Sequence, residues 1–228
     1  EKMELKGKKI LILVETFYNE FEFWYPYYRL KEAGAEVTVV GSGRAEVFTG
    51  KPATECKADK RAEEVSAADF DGVVIPGGYA PDMMRRSPAM VKLVADGVAG
   101  GKVVAAICHA GWMLASAEIL QGRKVTSFFA IKDDLVHAGA EWVDQEVVVD
   151  GNLITSRTPA DLPAFCRALR IAFGEKSTPV TCQPGPAMVM ALVPVPHPTS
   201  RTLIPGFGRA TLRTYLRSEA LNGSTTAS

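Results

Sequence analysis

Four short runs of apolar residues, each rich in β-branched side chains, constrain the fold of this chain most strongly. They are Lys9–Val14, Glu36–Val40, Gly72–Ile75 and Lys102–Ile107. Strands that are apolar along their whole length are buried on both faces, which is typical of a parallel sheet covered by helices. Stretches with helical spacing separate or follow these runs, at Tyr25–Ala33, Pro88–Val98 and Trp112–Leu120. The alternation predicts an α/β fold with a doubly wound, mostly parallel sheet between layers of helices.

The end of this fold is marked by a hairpin and a last helix. Glu146–Thr155 alternates in the manner of two strands, with Asp150-Gly151-Asn152 at the turn, and Pro159–Phe173 has helical spacing. Residues 178–228 differ from everything before them, because they hold seven of the chain's 14 prolines and few charges. We therefore predict one α/β domain over residues 1–177 and a proline-rich, loosely ordered extension over residues 178–228.

The composition excludes several classes of function. The chain has 26 Lys and Arg against 26 Asp and Glu, so its formal net charge is zero, which argues against a nucleic-acid partner or a polybasic membrane surface. No apolar run approaches the roughly 20 residues of a membrane span, and the first residues lack the apolar stretch of a secretory signal. We expect a cytoplasmic protein. The four cysteines are widely spaced, which indicates neither a disulfide framework nor a metal site, and no cofactor is expected.

The strongest candidate for chemistry is a cysteine at the end of a buried strand. Ligands of open parallel sheets bind at the carboxyl ends of the strands, and Cys108 follows the apolar run that ends at Ile107. Small residues after it permit a tight turn into the helix from Trp112, as in a nucleophile elbow. The start of that helix favours a thiolate, and His109 is a candidate general base. The alternative is a small buried cysteine that closes the strand.

Two other strand ends carry residues that suit a supporting role. Gly77 and Gly78 follow the third apolar run, where a backbone N–H of the turn would serve in an oxyanion hole beside the thiol. Glu15 and Glu20 follow the first run, and a carboxylate near the cysteine would tune its ionisation. The alternatives are a plain tight turn and solvated loop carboxylates.

The other cysteines and one acidic pair have simpler interpretations. Cys166 falls in the apolar pattern of the last helix, Cys56 lies in a charged stretch, and Cys182 belongs to the extension. Asp133 and Asp134 come before Leu135 on a short predicted helix, and we interpret them as an exposed face or a subunit contact.

Several longer motifs, taken together and in order, resemble those of one protein family. They are Val74-Ile75-Pro76-Gly77-Gly78-Tyr79-Ala80-Pro81-Asp82, Ala106-Ile107-Cys108-His109, Gly122-Arg123-Lys124-Val125-Thr126-Ser127, Ile131-Lys132-Asp133-Asp134-Leu135 and Ser156-Arg157-Thr158-Pro159-Ala160-Asp161-Leu162-Pro163. The chain resembles the PfpI family of intracellular cysteine proteases, within the ThiJ/PfpI group, over roughly residues 8–174. The resemblance implies a flavodoxin-like fold of the class I glutamine amidotransferase-like type.

The resemblance also implies roles for individual residues. The nucleophile of the family falls on Cys108, its histidine on His109 and its oxyanion donor on the backbone of Gly78. In hexameric members an acidic residue after the glycine pair reaches the histidine of a neighbouring subunit, and Asp82 has that position. Counted back from Pro26, the glutamate that contacts the cysteine aligns with Asn19, so that Glu20 or Glu15 would replace it. A tyrosine common in the family is Phe128 here.

These roles imply a cofactor-independent cysteine hydrolase that acts on small or unfolded peptides as a homo-oligomer, from a dimer up to a hexamer. One alternative uses the same thiolate as a glyoxalase III or protein deglycase, on methylglyoxal or other aldehyde-derived substrates. Another is a redox-sensing stress or chaperone protein in which Cys108 is oxidised. A glutamine amidotransferase is disfavoured, because its His-Glu pair is missing near the chain end.

Overall fold

The apolar runs form the strands of one central sheet. The structure is a computed structural model that describes residues 4–174. Its strands are β1 (Lys9–Val14), β2 (Glu36–Gly41), β3 (Val47–Thr49), β4 (Glu55–Lys57), β5 (Lys60–Arg61), β6 (Gly72–Ile75), β7 (Val103–Ile107), β8 (Lys124–Val125), β9 (Glu141–Trp142), β10 (Val147–Asp150) and β11 (Leu153–Ser156). Its α-helices are α1 (Glu20–Glu32), α2 (Ala80–Met84), α3 (Pro88–Ala99), α4 (Gly111–Ser116), α5 (Lys132–His137) and α6 (Leu162–Gly174).

The central sheet has seven strands in the order β10-β11-β7-β6-β1-β2-β5. All neighbours are parallel except β10 and β11, which form the antiparallel edge. The chain moves outward from β1 to β2 on one side and then returns to place β6 on the other side of β1. The strand order therefore reverses between β1 and β6, and the crevice at their carboxyl ends is where such sheets bind ligands.

Helices cover both faces of this sheet. Helices α1 and α6 pack together, while α3 contacts β6 and β7 and also packs against α4. The strands β1, β6 and β7 supply side chains that are almost wholly buried, and they form the centre of the core. The predicted fold class is confirmed: a mostly parallel sheet lies between helices, as β-branched runs buried on both faces require.

Two helix boundaries differ from the sequence-based prediction. Helix α1 begins at Glu20, five residues earlier than predicted, because the side chain of Asn19 caps it by accepting hydrogen bonds from the N–H groups of Phe21 and Glu22. The proline at position 26 is inside this helix and does not end it. Helix α4 ends at Ser116 rather than continuing to Leu120, because Glu118 has a φ of 57°.

Short elements complete the described chain. The predicted hairpin is formed by β10 and β11, and its second strand also pairs with β7. Two further strand pairs, β3 with β4 and β8 with β9, were not predicted. No helix among residues 4–174 is long and apolar enough to cross a membrane. The predicted extension over residues 178–228, with the boundary after residue 177, lies outside the described residues.

Candidate active site

The cysteine at the end of β7 is held in an uncommon backbone conformation. Strand β7 ends at Ile107, Cys108 opens a single 3-10 turn, and α4 begins at Gly111. Cys108 has a φ of 62°, in the left-handed region that non-glycine residues rarely adopt. Cys108 is buried, with 7% of its residue surface exposed. A strained residue at a strand-to-helix turn is the geometry of a nucleophile elbow, which holds a side chain at the edge of the sheet.

His109 lies against the thiol although the two residues are adjacent in the chain. Its Nδ1 is 3.2 Å from the Sγ of Cys108. The imidazole stacks on Phe128, with ring centroids 4.8 Å apart, and meets Trp112 edge-on at 5.2 Å. Burial among these rings lowers the pKa of His109. The histidine is therefore mostly neutral at pH 7 and able to accept a proton from the thiol.

A buried carboxyl group, that of Glu22 in the first turn of α1, also reaches the cysteine. Glu22 has no exposed surface, and its Oε2 accepts a hydrogen bond from the N–H of Gly77 at 2.8 Å. Its Oε1 is buried without a well-aligned hydrogen-bond partner among residues 4–174, and the side chain of Cys108 is the other group that interacts with the carboxyl. Burial raises the pKa of Glu22 to about 8. At neutral pH the carboxyl is largely protonated and can donate a hydrogen bond to sulfur.

The ionisation of the thiol is set by opposing effects. Burial raises the pKa of Cys108, and negative charge on Glu22 raises it further. The backbone N–H groups of His109 and Gly78 lower it. We expected the start of the helix to favour the thiolate, and these N–H groups do so, but burial outweighs them. Because the charge on Glu22 is absent while that group is protonated, the carboxyl and the thiol titrate as a coupled pair.

The glycine pair allows the turn after β6 to approach both groups. A Cβ on Gly77 would lie 2.6 Å from Oε2 of Glu22 and 2.8 Å from the Cβ of Cys108. Gly78 has a φ of 74°, and a Cβ there would lie 2.5 Å from the backbone of Phe17 and of Asn19. The lack of side chains thus lets the N–H of Gly78 point at the sulfur, where an oxyanion would also be held.

Neither of the carboxylates that we predicted beside the cysteine lies there. Glu15 is buried, but its two oxygens accept hydrogen bonds from the hydroxyl of Ser42 and the N–H of Thr16. Glu20 lies on the outer side of α1 and accepts a hydrogen bond from the N–H of Ala53 at 2.8 Å. The expectation that Glu15 or Glu20 supports the thiol is wrong, because α1 begins at residue 20 and turns position 22 toward the sheet.

Glu22 carried a sequence signal that the prediction missed. An asparagine followed three residues later by glutamate is the pattern of a helix start, and here it is Asn19 and Glu22. With the helix begun at residue 20, Glu22 shares a face with Pro26 and Leu30, four and eight residues further on. All three are buried. A carboxylate on the buried face of a helix would have identified the site.

Asp82 has a partner in its own chain. It lies in the first turn of the short helix α2 and forms an ion pair with Arg86. Within residues 4–174 no hydrogen bond or ion pair joins Asp82 to His109, and the predicted contact between subunits stays a prediction. Cys56 and Cys166 are buried, and no group of three or more potential metal-ligating side chains occurs among the described residues.

A doubly wound sheet with a cysteine elbow at the carboxyl end of β7 defines a flavodoxin-like α/β protein of the class I glutamine amidotransferase-like type. Residues 8–171 match the DJ-1/PfpI family. The chain belongs to this family, and the resemblance seen in the sequence motifs is confirmed.

Individual relatives support the same assignment. A deglycase of Pyrococcus horikoshii is 45% identical over 159 residues, which are 70% of this chain and 95% of the relative. The protein/nucleic acid deglycase 2 of Escherichia coli is 42% identical over 168 residues, 72% of this chain and 98% of the relative. A crystal structure from Anabaena variabilis with DJ-1/ThiJ/PfpI-like and ferritin-like domains is 46% identical, with a TM-score of 0.70. That match covers 72% of this chain and 47% of the two-domain protein.

Proposed function

We propose that this chain is a cofactor-independent cysteine enzyme that converts small α-oxoaldehydes such as methylglyoxal, or their adducts, into 2-hydroxy acids. The observation that carries the proposal is the contact of 3.2 Å between Sγ of Cys108 and Nδ1 of His109, beside the buried carboxyl of Glu22. One neutral base and one protonated acid then flank the same sulfur. Addition of a thiol to an aldehyde uses both, and the two relatives described above are named deglycases.

The first step is addition of the thiol to the aldehyde carbon. His109 accepts the thiol proton, and the new bond joins Sγ of Cys108 to carbon 1 of the substrate. The carbonyl oxygen takes up a proton from the protonated carboxyl of Glu22, and the product is a hemithioacetal. The N–H groups of Gly78 and His109, which point at the sulfur, lie close to the oxygen that becomes negative during the attack.

The second step is an internal transfer that needs no external oxidant. The carboxylate of Glu22 takes the proton on carbon 1 while protonated His109 gives its proton to the oxygen on carbon 2, which yields an enediol. Glu22 then returns its proton to carbon 2, and His109 takes the hydroxyl proton of carbon 1. Carbon 1 is thereby oxidised to a thioester while carbon 2 is reduced. Water then cleaves the bond between carbon 1 and Sγ, which releases the 2-hydroxy acid and restores the thiol of Cys108. The water proton passes to the Glu22 carboxylate, and protonated His109 gives its proton to the departing sulfur, so that all three groups return to their resting states.

Peptide hydrolysis, the first expectation from the sequence, is the second candidate. The observation that favours it is again the contact between Cys108 and His109, which a cysteine peptidase also requires. A peptidase dyad is usually oriented by a third polar group, and Asp82 is paired with Arg86 in its own chain. An oligomer in which Asp82 reaches the histidine of a neighbour would supply that group. Asp82→Asn tests this contact, with the oligomeric state measured by analytical ultracentrifugation.

The test is a pair of assays on the purified protein, one for lactate formed from methylglyoxal without glutathione and one for release of a fluorophore from peptides. We expect lactate formation that is lost in Cys108→Ala and retained in Cys166→Ala, because Cys166 is a buried cysteine of α6. Peptide release without lactate formation would favour the peptidase. Absence of activity in both assays, with rapid oxidation of Cys108 by peroxide, would favour the redox-sensing alternative.

A further inference from the structure

The imidazole of His109 is held by aromatic rings. Its Nδ1 faces the sulfur of Cys108, and within residues 4–174 neither ring nitrogen has a carboxylate partner. Phe128 stacks on one side of the ring with an angle of 29° between the planes, and its backbone N–H donates to the carbonyl of Cys108 at 3.3 Å. Trp112 meets the imidazole edge-on, with an angle of 60°. These two rings therefore restrict the orientation of the base.

The indole of Trp112, one of the two rings that hold the imidazole, is itself held in place. Nε1 of Trp112 donates a hydrogen bond of 2.7 Å to Oδ2 of Asp134, in the first turn of α5. The guanidinium of Arg85 lies over the indole ring, 6.0 Å from its centre, and Nε of Arg85 donates to the hydroxyl of Ser116 at 2.8 Å. The hydrogen bond fixes the rotation of the indole, and the guanidinium covers part of its face.

We propose that Asp134 and Trp112 are positioning residues for His109, in that the Asp134 carboxylate fixes the indole and the indole fixes the imidazole against the Cys108 sulfur. This chain of contacts does, through an aromatic ring, what a direct carboxylate partner does for the histidine of a catalytic triad. We had interpreted Asp133 and Asp134 together as an exposed face or a subunit contact. The proposal gives Asp134 a role at the site that Asp133 does not share. The proposal deepens the proposed function and rests on it, because it assigns the orientation of the base.

The pKa of His109 depends on the charged and titratable groups around its imidazole. Cys108 is in direct contact with the imidazole, and Glu22 interacts with the Cys108 thiol. Arg85 and Asp134 both contact Trp112, whose ring meets the imidazole. Loosening the indole admits water to the imidazole, so the pKa of His109, which burial lowers, should rise toward its usual value.

The experiment compares Asp134→Ala with Asp133→Ala in the full chain. Both carboxylates are exposed and lie in the first turn of α5, so both substitutions remove the same charge from the same helix end. Of these two aspartates, Asp134 is the one that is hydrogen-bonded to Trp112 among residues 4–174. We expect Asp134→Ala to slow iodoacetamide alkylation of Cys108 at pH 7 about fivefold, the factor that one such hydrogen bond is worth, and Asp133→Ala to leave it unchanged. Asp134→Asn, which retains an acceptor oxygen, should recover most of the rate.

The second readout is the pKa of His109 from NMR titration, which a merely structural role would not move. We expect it to rise in Asp134→Ala and in Trp112→Ala, and to stay near the wild-type value in Asp133→Ala. Trp112→Phe, which keeps an aromatic ring without the N–H, should fall between these limits. Equal behaviour of the two aspartate variants, or slower alkylation with no change in the pKa of His109, would overturn the proposal. Because neither readout needs turnover, absence of lactate formation in the wild type contradicts only the proposed function.

Discussion

The N–H of Gly77 donates a hydrogen bond of 2.8 Å to Oε2 of Glu22, and this contact joins the turn after β6 to the start of α1. The carbonyl of Gly77 accepts in turn from the backbone N–H of Asn19 at 3.2 Å. In an ordinary capping box the cap residue and the glutamate three residues later satisfy each other. Here the glutamate side chain and the backbone N–H of Asn19 are bonded to Gly77 instead, and the carboxyl is thereby held beside Cys108.

Replacing Gly77 by alanine should separate these groups. A Cβ there lies under 3.0 Å from Oε2 of Glu22, the Cβ of Cys108 and the carbonyl oxygen of Ile107. The last two atoms cannot move without a shift of the backbone. We expect Gly77→Ala to lower turnover by more than about tenfold and to cost about 1–3 kcal/mol of unfolding free energy through overpacking. Gly174→Ala is the matched control, because its new Cβ meets one side-chain atom at 3.6 Å. Equal effects of the two substitutions, by urea denaturation and by assay, would contradict this account.

The buried carboxyl of Glu22 should make stability depend on pH. Its folded pKa, about 8, is above the ordinary value of 4.5. The stability that the protonated form gives is therefore complete below about pH 4.5 and is lost as the pH rises through about 8. Between pH 5 and pH 9 this loss is on the order of 4 kcal/mol. The side chain that Glu22→Gln introduces cannot ionise. The difference in free energy of unfolding between this variant and the wild type should therefore shift in favour of the variant as the pH rises from 5 to 9.

Glu20→Gln is the control for this prediction, because the pKa shift of Glu20 has the opposite sign to that of Glu22. Hydrogen bonds from the backbone N–H groups of Thr54 and Ala53 lower the pKa of Glu20. Its contribution is present above the ordinary pKa and is lost only as the pH falls through the lowered one. Between pH 5 and pH 9 the difference between wild type and Glu20→Gln should stay constant. Urea denaturation at both pH values tests the pair, and a constant difference for Glu22→Gln would contradict the raised pKa.

The three described cysteines should differ in reactivity. Burial raises the pKa of Cys56 and of Cys166 to about 12, and within residues 4–174 no hydrogen bond joins either thiol to a histidine. Cys108 is also buried, but it has His109 as proton acceptor and two backbone N–H groups directed at the sulfur. We expect iodoacetamide to modify Cys108 at least about tenfold faster than Cys166 at pH 7.5, measured on peptides by mass spectrometry. Similar rates for the two thiols would mean that the contact with His109 does not activate Cys108.

The sequence predicted the elements that hydrophobic periodicity controls. β-branched runs buried on both faces indicated the central sheet, and the position of Cys108 after one of them indicated the elbow. Short strands such as β8 and β9, of two residues each, carry too few side chains to produce a periodic pattern. Their pairing depends on contacts distant in the chain, which a local pattern does not contain.

The site was predicted less completely than the fold, and the reason lies in its supporting residues. Glu22 was missed because the start of α1 was placed five residues too late, which hid its place on the buried face. Trp112 was assigned only to a helix, since its bond to Asp134 joins positions 22 residues apart. Cys108 and His109 follow a strand end directly, whereas Glu22 and Trp112 reach the site from helices, whose packing a local pattern does not contain.

Turnover should depend on pH through His109 and Glu22 together. Burial lowers the pKa of His109 below its usual 6.5, so the base stays neutral until the pH falls below that value, and kcat/KM should decline there. Glu22 must be protonated to act as acid, and with its pKa at about 8 activity should decline again above that pH. Glu22→Gln, whose amide retains a hydrogen-bond donor but cannot transfer a proton, should be slower and should lose the decline at high pH.

His137→Asn, which replaces an exposed histidine of α5, is the control and should keep the decline at low pH and the decline at high pH. A decline that begins well above pH 6.5 in the wild type would show that His109 is not the base.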